Sequence, residues 1–254
     1  MATRAPRPST SLAAYVLHRY DWSESSLILD LFTREQGRIA VAAKGAKRPY
    51  SQLRSVLLPF QRITVSLGKA VLPDEGASEV QTLRGAEWAG GAAMLTGAAL
   101  FSGFYLNELL MKLLARHDPH AALFDAYAMT LPALAADETE AQAALRAFEL
   151  SLLRETGLLP DLSLLTSTQQ PLRPDAHYTL APEAGVATAA ESELTGEALI
   201  GLQAALEHGS LPALQHACRA CLAALKLPLR AMIQHQLGSG VLRTRQVMMG
   251  LQNL

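Results

Sequence analysis

Apolar residues alternate with polar ones early in the chain and then, from Ala86 onward, recur at helical spacing. No single regular element satisfies both patterns, because one face of a strand repeats every second residue and one face of a helix every three or four. A strand-built part must therefore precede a helix-built one. Leu27, Leu29 and Leu31 alternate within SLILDLFT, and Ile39 and Val41 follow the turn at Gly37. Ile63, Val65 and Leu67 alternate with Arg62, Thr64 and Ser66. AAYVLH before these runs and EVQTLRG after them complete a set of five strands. Five short strands within 12–85 predict a small closed barrel of the OB type, a frequent binder of oligonucleotides.

The remaining residues, 86–254, predict an all-helical domain, so the fold class is α+β. Apolar spacing places helices near 91–116, 119–135, 139–156, 195–207, 211–225, 228–237 and 242–251. Ser210 ahead of Leu-Pro reads as a capped helix start with proline in the first turn. The stretch 157–194 holds Pro160, Pro171, Pro174, Pro182 and Gly185, and predicts a long irregular connection. Residues 1–11 read as a loose tail with no apolar leader segment. Trp88 to Asn107 is uncharged across twenty residues, which is membrane-span length. Its larger side chains recur at helical spacing, however, and Glu108 and Lys112 extend the pattern, so a helix within a folded core is expected instead.

A formal net charge of −1 conceals a strong sorting of charge. Residues 1–84 hold twelve Lys or Arg against seven Asp or Glu, and residues 85–207 hold five against sixteen. Residues 208–254 hold five cations and no carboxylate. From Gln36 to Leu72 seven cations occur without one acid, four of them within AKGAKRPYSQLR. Solvated faces mix both signs, so cations sorted in this way point to a polyanion partner.

Catalytic motifs do not surface. There is no G-x-S-x-G, no P-loop and no G-x-G-x-x-G, and the histidines are scattered. Asp137, Glu138 and Glu140 sit where a helix should begin, a place where carboxylates favour the helix dipole. Cys218 and Cys221 are the only cysteines, too few for a disulfide framework or a four-ligand zinc site. They fall within an alanine-rich helical pattern, where small thiols pack well. No catalytic residue, metal ligand or cofactor is expected.

Longer stretches resemble a known family. YVLHRYDWSESSLILDLFTREQGRIAVAAKGAKRP, LLPFQRITVSLG and VQTLRGAEW resemble the N-terminal barrel of the bacterial RecO family of recombination mediators. YLNELL, LRAFELSLLRETGLLPDL and LGSGVLRTRQVM continue the resemblance, in order, nearly to the C-terminus. It implies a non-catalytic protein of the RecF pathway of DNA repair, in the cytoplasm and associated with the nucleoid. Such a protein binds single- and double-stranded DNA, anneals complementary strands and, with RecR, helps load RecA onto strands coated by single-stranded DNA-binding protein. RecF is a further candidate partner. The helical part is implied to dock that protein's acidic, apolar C-terminal tail. Many family members carry a four-cysteine zinc site in the region corresponding to 161–190; this chain has no cysteine there, so zinc is not expected.

Two residue sets follow. Arg38, Lys44, Lys47, Arg48, Arg54, Arg62 and Arg84 are expected to meet DNA phosphates. Tyr50 and Phe60 are the nearest aromatic residues, with Phe60 expected in the core, so binding should follow the backbone with little sequence preference. For an acidic tail, the acid-free C-terminal segment offers Arg230, Arg243 and Arg245, and Arg146 matches the family's pocket wall. The competing readings are an adaptor whose basic barrel binds an acidic protein, and a metal-dependent nuclease. The nuclease lacks a carboxylate cluster in the basic region.

Overall fold

The computed structural model describes residues 11–68, 80–91, 94–238, 240, 242–244 and 246–247. Residues 1–10 of the expected N-terminal tail, Arg245 and half of the helix near 242–251 lie outside the described residues. Contacts divide the chain into two compact units. One comprises the chain up to Met94 together with Leu114–Phe124; the other comprises Leu95–Leu113 and the chain from Asp125 onward.

The first unit is a closed barrel of five strands: β1 (Ser11–Asp21), β2 (Leu27–Thr33), β3 (Gly37–Ala43), β4 (Gln61–Leu67) and β5 (Gln81–Gly91), with spatial order β1-β2-β3-β5-β4. This is the OB-type barrel the alternation predicts. Leu29, Leu31, Ile39, Val41, Ile63 and Val65 are fully buried inside it, which is why one face of each strand must be apolar. β3 and β5 pair in parallel over a short register, Val41 with Gln81 and Ala42 with Thr82. A parallel pair needs a crossover, and the chain from Lys44 to Phe60, with the one-turn helix α1 (Leu53–Val56), begins it.

Leu114–Phe124 lies on the barrel's outer face. Phe124 stacks against Tyr15 and Phe32 with ring centroids 5.3 and 5.4 Å apart. The backbone N–H of His117 donates to the Arg38 carbonyl at 2.9 Å. Gly37 turns the β2–β3 hairpin with φ +64°, and a Cβ there would stand 1.9 Å from the Asp118 carbonyl oxygen.

The second unit is helical, with α2 (Gly97–Leu113), α3 (Ala121–Ala133, whose first turn belongs to the barrel unit), α4 (Glu138–Glu155), α5 (Gly196–His208), α6 (Leu211–Arg219) and α7 (Leu222–Leu237). α4 is buried along most of its length. Asp137 caps it, accepting from the Glu140 N–H, as the acidic cluster suggested. Ser210 caps α6, with proline in the first turn. Among the described residues, no helix is long and apolar enough to cross a membrane.

Three expectations need correction. The helix placed at 91–116 starts at Gly97, because β5 runs on to Gly91; Gly90 and Gly91 take positive φ that a helix cannot use. The connection 157–194 is not irregular throughout. It holds a three-stranded sheet of β6 (His177–Ala181), β7 (Gly185–Thr188) and β8 (Leu194–Thr195), whose Tyr178, Leu180 and Val186 are buried. The third concerns the cysteines. The helix pair expected to divide before Pro228 divides instead at Ala220–Cys221, and Pro228 lies inside α7. Cys218 therefore sits in the last turn of α6 and Cys221 at the N-cap of α7. Both thiols are free and buried. Burial raises Cys218 far above the ordinary thiol range and Cys221 to about 11, so neither is activated.

Replacing Gly37 with alanine should destabilise the barrel by more than about 1–3 kcal/mol, since a strained φ is compounded by a clash with backbone. Urea unfolding followed by far-ultraviolet circular dichroism would read the shift in midpoint.

Candidate nucleic-acid interface

The connection from Lys44 to Phe60 has two sides. Ala46 and Leu57 are buried in the barrel core, and Leu53 and Val56 pack against it. Lys44, Arg48 and Arg54 face water. The connection is tied to the β1–β2 turn. Lys47 donates its N–H to the Ser25 carbonyl at 3.0 Å, and the Gly45 N–H donates to Ser26 Oγ at 3.4 Å. These ties create a cleft of about 370 Å3 lined by Arg19, Asp21, Lys47 and Arg54, with Leu27 and Leu57 among its apolar walls.

The seven expected phosphate-binding residues are not equivalent. Lys44, Arg48, Arg54, Arg62 and Arg84 are exposed, and no carboxylate partner is recorded for them among the described residues. Lys47 is partly exposed and pairs with Asp21, Nζ to Oδ1 at 3.1 Å. Arg38 belongs to a different environment. It is half-buried near Asp30, which is 3% exposed and accepts from Arg116 at 3.3 Å and from the Tyr20 hydroxyl at 3.2 Å. Burial, together with Arg116, pushes Arg38 below its ordinary value, while Asp30 pulls it back. Its surroundings describe a structural ion cluster beneath the Leu114–Phe124 segment.

Lys47 and Arg54 meet in the cleft, whereas Arg62 and Arg84 lie on β4 and β5. Arg19 was absent from the expected set. It follows a β-bulge between Val16 and His18 on β1, and its guanidinium donates to the Leu57 carbonyl at 3.4 Å. A bulge shifts which residues face outward, so alternation alone does not find Arg19. Phe60 is in the core, as expected. Trp22, Tyr50 and Trp88, by contrast, are 68%, 99% and 65% exposed.

In the helical unit, Arg146 is only 9% exposed. Its Nη1 lies 2.7 Å from Oε2 of Glu149, one turn along α4, and the Tyr105 hydroxyl donates to Glu149 Oε1 at 2.6 Å. Arg146 is thus committed inside the protein rather than presented to solvent. Burial raises the Glu149 carboxyl above its ordinary value, outweighing Arg146 and Tyr105, which pull it down. Tyr105 is held well above the tyrosine range by burial and then by Glu149, with Arg146 and Arg230 opposing. Arg146 and Arg230 therefore do act on one common group. Arg230 is exposed on α7. Arg243 is exposed too; its N–H donates to Glu108 Oε1 at 2.9 Å, and the Thr244 N–H and hydroxyl donate to Oε2. Among the described residues, no group of three or more His, Cys, Asp or Glu could hold a metal ion.

Comparison with known families matches two models end to end. Residues 9–90 match the model described as Recombination protein O N terminal, and residues 94–246 match Recombination protein O C terminal. Curated relatives span almost the full chain. The DNA repair protein RecO of Variovorax paradoxus is 53% identical over 253 residues, covering 95% of this chain and 96% of the relative. That of Verminephrobacter eiseniae is 52% identical over 246 residues, with the same coverage. That of Paracidovorax citrulli is 52% identical over 271 residues, covering 98% of this chain and all of the relative.

Removing the Arg146 guanidinium would strand a buried carboxylate, at a cost of about 3–5 kcal/mol near neutral pH. Glu149 has a raised value in the folded state. Its contribution therefore favours folding below the ordinary 4.5 and is lost as pH rises through the raised value. The Arg146→Ala deficit should accordingly be large at pH 8 and shrink as the pH falls and the carboxyl takes up its proton. Urea midpoints of variant and parent at pH 8 and pH 5 would check this.

Proposed function

Because the chain belongs to the RecO family of DNA repair proteins, we propose that it is a non-catalytic mediator whose barrel binds single- and double-stranded DNA and anneals complementary strands. In this reading it works with RecR to place RecA on strands coated by single-stranded DNA-binding protein, with RecF as a further partner.

One observation supports the phosphate-binding part above others. Lys44, Arg48, Arg54, Arg62 and Arg84 stand exposed, with no recorded carboxylate partner, on a barrel whose connection has every apolar reason to stay in place. Cations held on a rigid support but left without neutralising partners are suited to displace the ions around a phosphate backbone. Arg19 joins the set through the cleft. Lys47 contributes once Asp21 is displaced from it, and Arg38 acts by holding the barrel's outer face rather than by touching DNA.

Replacing Lys44, Lys47 and Arg48 together with glutamate tests the reading. Affinity for a single strand should collapse at moderate salt. The slope of log affinity against log salt should flatten by roughly 2, given about 0.7 per lost phosphate contact on single strands. An unchanged slope would reject this surface. Tight binding to an acidic protein with no measurable DNA binding would favour the adaptor instead.

The helical unit is proposed to take the acidic tail of single-stranded DNA-binding protein at Arg230 and Arg243, with Arg245 as a third cation. Arg146 supports the wall from inside. Arg230→Ala should weaken an acidic apolar peptide by about 1.5–3 kcal/mol, the worth of a hydrogen bond to a charged group, as measured by fluorescence anisotropy. Arg230 suits the test better than Arg146, whose loss would also unsettle the fold.

A further inference from the structure

The β1–β2 turn, Trp22 to Ser26, otherwise consists of three serines and Glu24. The Trp22 and Ser23 N–H groups donate to the Ser26 carbonyl, and Ser26 Oγ accepts from Gly45. Nothing in the turn requires an indole, and the ring is 68% exposed. A single exposed aromatic side chain is ordinary on a protein surface. This one, however, directly follows Asp21, which lines the cationic cleft together with Arg19 from β1 and Lys47 from the tethered connection. Tyr50, three residues beyond Lys47, is 99% exposed.

We propose that Trp22 is a base-stacking face, so that the cleft beside it takes single-stranded nucleic acid through bases as well as phosphates. This rests on the nucleic-acid reading above and deepens it by separating single strand from duplex. Every base offers a π-face to an aromatic ring, so stacking adds affinity without adding sequence preference. In a duplex those faces are already stacked on their neighbours. Cations alone do not distinguish the two forms in this way. Tyr50 offers a second ring on the connection. Trp88 lies on β5 and directs its Nε1–H to Gln61 Oε1 at 3.4 Å.

The chain's two tryptophans make the test internal. Trp88→Phe leaves Trp22 as the sole indole, and Trp22→Phe leaves Trp88. Each variant of the full chain is titrated with oligothymidylate and with an abasic sugar–phosphate oligomer of the same length. Fluorescence should be quenched in Trp88→Phe by the base-bearing oligomer and not by the abasic one. Trp22→Ala should lose roughly five- to a hundredfold affinity for oligothymidylate and leave abasic binding and duplex binding unchanged. Oligothymidylate binding with no quenching of Trp22 would overturn the inference and leave the DNA reading standing. An equal loss on both oligomers would do the same. Binding of neither oligomer by the parent would overturn the DNA reading and this inference with it.

Discussion

The barrel closes through the parallel pairing of β3 with β5, and much else follows from that geometric demand. Antiparallel neighbours can be joined by a two-residue turn; parallel ones cannot. The chain leaving β3 must travel from Lys44 to Phe60 before it re-enters the sheet as β4. That excursion would be a loose loop were it not amphipathic. Ala46 and Leu57 fill the core, while the cations between and around them have no inward place to go. The charge that identifies the surface and the apolar residues that fix it belong to one segment. The same burial that closes the barrel also presents Lys44, Arg48 and Arg54 in a defined arrangement.

A second buried element organises the helical unit. Tyr105 hydrogen-bonds to Glu149 and Arg146 forms an ion pair with it, in a group that is largely buried. A carboxylate in that position is tolerated because a guanidinium and a hydroxyl meet its two oxygens. The Tyr105–Glu149 hydrogen bond links α2 to α4. Arg230 stands close enough to influence Tyr105 while remaining exposed. Any ligand charge brought to Arg230 is thus placed near an internal network rather than on an isolated side chain.

Much of the fold was legible in the sequence because period-two alternation is strict where a strand has one buried face. Leu27 to Leu31 and Ile63 to Val65 leave little freedom. Legibility failed where backbone conformation, rather than side-chain period, decided the outcome. Glycines at 90 and 91 postponed the first long helix, and the short strands at 177–195 were hidden among prolines. The cysteine pair was misplaced because the alanine-rich HACRACLAAL reads as one continuous helix, whereas the chain breaks at Ala220–Cys221 and α7 accommodates Pro228. For the candidate interface, the acid-free connection was plain from composition alone. Arg19 was obscured by a bulge, and Lys47's partner came from a strand end 26 residues earlier. Arg146 could have been placed: its spacing of three from Glu149 on a helix is a standing invitation to pair.

The contact between Lys47 and Asp21 gives this surface a built-in competitor. A free lysine reaching a phosphate casts a small ion into solution, and the entropy of that dilution drives attachment. A lysine that already holds a tethered carboxylate must part from it first, and that separation offsets some of the gain. Any anion that meets Lys47 is therefore held more loosely than one meeting a lysine without an acidic neighbour.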